Sequence, residues 1–290
     1  MKRHRTSALI LASPWILTFF LIWAFPLVYS FVIGLTNYRI FSPEQFDWVG
    51  WSNYKQLFSD QDFINALKNT FIFVIGTIPI TTVISLAMAL MVNRRFKGRE
   101  LFRAGYFLPS VTSMVVVALI FTNLYQRGGY IAMLVSMVGI TPPEYGFLYS
   151  NATALYSIMA MDIWMSAGYF MLIFLAGLKS IPDELYESAE IAGASAWRRF
   201  RSITLPLLRP VAVYVLVINS IKSFQVFVEI FVMSKGKFET MTAVYFVYET
   251  GLTTGFESGY ASAAAYVLFA IIAVFSIMLF AVMRQRRPVW

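Results

Sequence analysis

Cysteine is absent from all 290 residues, which excludes disulfides, thiolate metal sites and thiol chemistry. The single histidine, His4, sits in a basic N-terminal run and reads as one more flanking polar group. Charge is scarce as well. Only 13% of residues are Asp, Glu, Lys or Arg, against about 25% in a soluble domain, too few to cover the surface of one this long. No Gly-x4-Gly-Lys-[Ser/Thr] run occurs, so the chain cannot cradle ATP phosphates itself. Internal repeats and low-complexity tracts are missing too, and the halves do not resemble the inverted repeats of many secondary transporters. These absences leave no catalytic or metal-binding residue to assign.

The sequence instead has long uncharged runs. No ionisable Asp, Glu, Lys or Arg interrupts Thr6–Tyr38, Asn69–Asn93, Ala104–Gln126 or Ser258–Met283. Each can supply the roughly 20 apolar residues that cross a bilayer core. Tyr145–Leu178 and Pro210–Ser234 qualify if Asp162, Lys222 and Glu229 are tolerated inside them. The expected fold is therefore an all-α membrane protein with six transmembrane helices in one domain, residues 1–290. The helices are placed at about 8–35, 68–92, 104–126, 150–178, 210–233 and 258–283. A short interfacial helix is expected near Asn53–Leu67. The first run is much longer than a signal-peptide core of roughly 7–15 residues, so it reads as a retained helix.

The net charge of +8 reports topology rather than nucleic-acid binding. With both termini cytoplasmic, 16 of the 23 basic residues fall on inner segments and six (Arg39, Lys55, Lys68, Arg127, Lys235, Lys237) on outer ones. This is the positive-inside pattern. The outer segments are then 37–67, 127–149 and 235–257, and the longest inner loop is 179–209.

That loop reads as two short helices. Pro182 suits a first helical position, and Asp183, Glu184 and Glu187 put negative charge at the positive end of the first helix. Gly193 breaks the run, Ser195 is the expected N-cap of the second helix, and Pro206 is expected to stop it. Trp197, Phe200 and Ile203 recur at every third position. A small amphipathic element of this kind suits pressing into another protein.

Here the sequence resembles a known family. Glu187-x-Ala189-x3-Gly193-Ala194, followed by Phe200, Ile203 and Leu205-Pro206, is similar to the EAA loop of binding-protein-dependent (type I) ABC import permeases. Ile181–Glu187, Ser223-Phe224 and the outer Trp48-Val-Gly-Trp-Ser-Asn-Tyr54 extend the likeness to the oligosaccharide branch, in particular the larger maltose-type membrane subunit. Ser188 and Ala192 depart from the usual Ala and Asp. The resemblance implies a multi-pass permease of the bacterial cytoplasmic (inner) membrane, coupled through Glu187, Ala189, Gly193, Ala194, Trp197 and Phe200 to a pair of ATPase subunits. ATP and Mg would lie in those partners and no cofactor in this chain, which would be no enzyme. A second homologous permease subunit and an extracytoplasmic solute-binding protein are the other implied partners.

The same resemblance places a substrate pathway at Ser110 and Met114, at Trp164, Met165 and Ser166, and at Asn219, Lys222 and Ser223. Two roles stand open for Lys222: a contact with cargo, which would point to an acidic sugar, or an ion pair with Asp162. Glu229 is expected near the outer end, within reach of water. Polyamine, phosphate or amino-acid cargo are alternatives within the class. Half of a secondary transporter, or a membrane anchor, are alternatives outside it.

Overall fold

The computed structural model describes residues 11–42, 44, 47–94, 96–253 and 257–283. His4, Arg95 and the basic residues of both terminal runs lie outside the described residues. Among the described residues the chain is helical, with two isolated bridges, Thr36 with Trp48 and Gln126 with Gly146. Five helices are long and apolar enough to span a membrane: α1 (Leu11–Gly34), α3 (Gln61–Asn93), α7 (Ala154–Lys179), the helical run Ala196–Met233, and α13 (Ser258–Met283). A sixth span is a bent pair, α4 (Arg99–Val111) and α5 (Met114–Leu124). Between spans lie α2 (Ser52–Leu57), α6 (Tyr130–Met137), α8 (Asp183–Ile191) and α12 (Ala243–Tyr248).

Three expectations need correction. The third span is not one straight helix: it bends by 95°. Pro109 lies inside α4, and Thr112 (φ −80°, ψ 150°) and Ser113 (φ −58°, ψ 126°) are extended. A proline near a helix end removes a donor and makes such an exit cheap.

The fifth span starts earlier than expected, and Pro206 does not stop the preceding helix. From α9 (Ala196–Arg199) the chain passes through one widened π-helical turn, Phe200–Thr204, into α10 (Leu205–Phe224). Leu205 N–H donates five residues back, to the Phe200 carbonyl. The widened turn sits where the Pro206 ring would otherwise collide with the preceding backbone. The same device precedes Pro26 in α1, where residues Phe19–Ala24 form a π turn and Phe25 N–H donates to the Phe20 carbonyl. The fifth span then breaks at residues 225–227 before α11 (Val228–Met233).

The third correction concerns the outer segments. The helix expected near 53–67 is the short α2, after which α3 begins at Gln61. Both later outer segments carry helices of their own, α6 and α12.

The chain divides into two compact units. In residues 1–64 with 246–270, the Trp48–Tyr54 motif closes the end of α1. Val49 and Gly50 N–H groups donate to the Leu35 carbonyl, and buried Asn53 Nδ2 donates to the carbonyls of Gly34 (2.9 Å) and Thr36 (2.8 Å). The Gly34 and Leu35 carbonyls are ones that a helix end leaves without intrahelical partners. Tyr260 Oη donates to Asp60 at 2.7 Å in the same unit.

In residues 65–245 with 271–290, α7 is the central helix. Two apolar clusters line it. One holds Phe73, Ile158, Met161, Met165 and Ile230; the other holds Ala89, Phe170, Phe174, Leu178 and Leu208. Being buried on most sides, α7 has no polar stripe in its sequence, as expected of a helix at the centre of a bundle. Gly168 and Gly177 let its neighbours approach closely: a Cβ at Gly168 would overlap the Tyr106 carbonyl of α4, and one at Gly177 would press on Leu208 and Val211 of α10.

Candidate functional site

Two places carry functional chemistry: the loop between α7 and α10, and a polar group inside the spans. The loop is a rigid double helix turn. Asp183 and Glu184 occupy the first turn of α8, with Pro182 as its N-cap. Gly193 takes a left-handed conformation (φ +76°), closed by Gly193 N–H to the Glu190 carbonyl and Ala194 N–H to the Ala189 carbonyl, both 2.9 Å. Ser195 then caps α9, its Oγ accepting from the Arg198 N–H at 3.3 Å, as the sequence suggests.

Two side-chain links, neither visible in the sequence pattern, fix this element. Arg199 donates to Glu190 at 2.8 Å, joining α9 to α8, and Tyr186 Oη shares a 2.9 Å hydrogen bond with Thr204 Oγ1 in the π turn. Ile181 is buried, while Tyr186 and Ile203 pack against the cluster of Phe170, Phe174 and Leu208. Three large apolar side chains stand out among exposed charged ones: Ile191 is 89% exposed, and Trp197 and Leu185 are exposed too. Glu187 and Gly193 are exposed as well, and Ala189, Ala194 and Phe200 are half-buried. Trp197 and Phe200 lie with ring centroids 5.5 Å apart. The loop thus presents unpartnered apolar groups on a scaffold tied to the bundle.

Inside the spans, Asp162 and Ser166 project one turn apart from α7, and Lys222 projects from the last turn of α10. Lys222 Nζ donates to Asp162 Oδ1 at 2.6 Å and to Ser166 Oγ. Asp162 is 2% exposed, whereas the Lys222 side chain is 37% exposed. The ion pair left open by the sequence therefore forms. An ammonium has three donors, so one N–H of Lys222 remains after these two bonds. Buried Glu229 in α11 is close enough to feel both Asp162 and Lys222; at 5% exposure it does not reach water as expected.

The other pathway residues separate into those brought together and those not. Ser110 Oγ donates to the Met165 carbonyl at 3.0 Å, tying the end of α4 to α7. Met114 packs on the cluster that holds Met165, Ile158 and Ile230. Trp164 is 50% exposed, with its ring 5.3 Å from that of Phe121. Ser223 shares a 3.2 Å hydrogen bond with Thr77. Asn219 stands apart: it is fully buried and neither polar atom of its amide has a partner. In this conformation Trp164 and Lys222 have exposed surface, while Met165, Ser166, Asn219 and Ser223 do not.

A multi-pass helical bundle with charged groups paired at mid-span, and a tethered loop that exposes Leu185, Ile191 and Trp197, has the construction of a membrane transport subunit. The chain belongs to the family of binding-protein-dependent transport system inner membrane components, which it matches over residues 81–288. It is 32% identical to the probable ABC transporter permease protein YesP of Bacillus subtilis, across 97% of this chain and 91% of that protein. It is 31% identical to the trehalose/maltose transport system permease protein MalF of Thermococcus litoralis, across 90% and 88%. Among solved structures it is similar to a bacterial ABC transporter involved in the import of the acidic polysaccharide alginate, with a TM-score of 0.84, 25% identity and 99% of both chains covered. The chain is thus a multi-pass permease component of an ABC transporter in the inner membrane.

Proposed function

We propose that the chain is a transmembrane subunit of an ATP-driven importer that carries an oligosaccharide into the cytoplasm. It works with a second permease subunit, a pair of cytoplasmic ATPase subunits and an external solute-binding protein. The observation that carries the coupling half of this reading is the exposure of three large apolar side chains on α8 and α9, Leu185, Ile191 and Trp197, held on a doubly tethered scaffold. Large exposed apolar groups on a rigid support mark a protein contact. ATP binding and hydrolysis belong to the partners, whose movements reach the spans through this loop. In this orientation both termini and the loop face the cytoplasm.

Support for the cargo comes from relatives named for arabinooligosaccharides, lactose, and trehalose or maltose. The polar groups at mid-span fit that chemistry. Because Asp162 balances the charge of Lys222, the remaining N–H acts as a hydrogen-bond donor to a sugar hydroxyl, and the exposed Trp164 ring offers a face for the apolar side of a sugar. A second reading, an acidic oligosaccharide, is favoured by the likeness to the alginate importers.

The test is to purify the complex with its binding protein and identify the ligand by mass spectrometry. ATPase activity in proteoliposomes is then measured with neutral and with uronic-acid oligosaccharides. A bound sugar that stimulates hydrolysis supports the proposal, and the chain that stimulates best decides between the readings. A bound amino acid, polyamine or phosphate would overturn it.

A further inference from the structure

We propose that the turn between α3 and α4 is a binding site for the headgroup of an anionic phospholipid in the leaflet that meets it. Residues 94–103 carry five basic side chains against one acidic one, Glu100. Arg94 and Lys97 are exposed, and neither pairs with an acid among the described residues. Arg99 and Arg103 both donate to Glu100, at 3.1 and 2.6 Å, and Arg103 also donates to the Val92 carbonyl at 3.1 Å. Both arginines share one oxygen of Glu100, which leaves Arg94 and Lys97, of the other basic residues here, exposed for an outside anion.

The groups beside these cations are those that lipid chains favour. Phe96 and Phe102 are exposed and meet edge to face, with ring centroids 5.7 Å apart. Leu101 and Leu108, two turns apart on α4, continue an exposed apolar stripe away from the turn. The opposite side of α4 is taken up by α7, through Tyr106 beside Gly168 and Ser110 bound to Met165. Cations at the head of an exposed apolar stripe match a phosphate above an acyl chain.

The turn is also open. Gly98, left-handed at φ +87°, is the N-cap of α4, with no side chain to cap the first-turn amides and nothing within 4 Å of where a Cβ would stand. An anion there would meet amide donors at a positive helix end in addition to the cations. A zwitterionic headgroup, whose own cation repels Arg94 and Lys97, fits less well. This inference does not depend on the identity of the cargo.

The experiment uses the purified transporter complex in detergent, with phosphatidylglycerol or phosphatidylcholine added, read by native mass spectrometry and by thermal melting. The wild type should retain phosphatidylglycerol and melt higher with it, with little response to phosphatidylcholine. Arg94→Gln with Lys97→Gln should weaken phosphatidylglycerol binding by roughly 25-fold, about fivefold per cation near a membrane surface. Arg94→Lys with Lys97→Arg should bind as the wild type does, which separates charge from folding. Equal binding of the two lipids, or undiminished binding by the Gln pair, overturns the proposal. So does a Gln pair that keeps its lipid but sheds its ATPase partner, since the surface would then be a protein contact.

Discussion

Asp162 and Lys222 allow an asymmetric prediction, because the two ends of their ion pair are not equally buried. Opposite charges about 4 Å apart attract by about 4 kcal/mol at an effective dielectric of about 20. Desolvation cancels much of that gain, so what matters is the group left behind. In Lys222→Met the survivor is Asp162, 2% exposed, with Ser166 Oγ 3.4 Å away as its remaining side-chain partner. Stranding a buried charge costs about 3–5 kcal/mol. In Asp162→Asn the survivor is a long lysine already 37% exposed, still able to donate to Ser166 and to swing towards water. That change should cost about 1 kcal/mol. The double variant removes both charges and should recover most of the loss in Lys222→Met. Thermal melting of the purified complex for all four forms completes a double-mutant cycle, with transport measured alongside. Equal destabilisation by the two single changes, or a double variant no better than Lys222→Met, would refute the argument. Should Lys222→Met keep its melting point and lose uptake alone, the lysine serves cargo rather than structure.

Three further outcomes are expected. At Gly193 the left-handed backbone sits in open space, so Gly193→Ala should cost about 1–2 kcal/mol of local stability. Gly193→Pro, which cannot adopt that φ and loses the bond to Glu190, should abolish cargo-stimulated ATPase activity while the protein still inserts. Full coupling in the proline variant would remove the loop from the coupling path. Gly168→Ala should lower the melting point by the equivalent of about 1–3 kcal/mol or more, since its methyl meets backbone rather than a side chain that can move aside; an unchanged melting point would contradict the α4–α7 crossing. Because no native cysteine competes, Ser59→Cys and Thr141→Cys should react with an impermeant thiol reagent from outside and Ser188→Cys should not. The opposite labelling would reverse the proposed orientation.

The spans were legible because bilayer thickness imposes a length and low charge on each. The loop was legible because Gly193 and Ser195 signal locally, through a backbone only glycine adopts easily and a cap three residues from its donor. The breaks were harder to read. Thr112-Ser113 and residues 225–227 lie inside uncharged or nearly uncharged runs, where hydropathy does not change as the backbone turns. Pro109 was the available clue, and Pro206 was misleading, since a proline can end a helix or be absorbed by a widened turn. Within the site, the spacing of Asp162, Lys222 and Glu229 announced charge in the membrane but not which acid takes the lysine. The 60 residues separating Asp162 from Lys222 close only through the packing of α7 on α10. Asn219, expected on the pathway, has its amide sealed from the surface in this conformation, a burial that its place in the sequence does not announce.

The unbroken passage from α9 through Phe200–Thr204 into α10 has a mechanical consequence. The helix end that the proposed function docks on a partner and the helix end that carries Lys222 belong to one continuous strut. The 20 residues of α10 make a rod about 30 Å long, so a 10° tilt at its base carries the far end sideways by about 5 Å. That displacement exceeds the reach of the 2.6 Å contact between Lys222 and Asp162. A flexible hinge at Pro206 would have dissipated such a movement. The widened turn keeps the backbone bonded through the proline, so under the proposed function a push received at Trp197 would arrive at mid-membrane as leverage on a single charged contact.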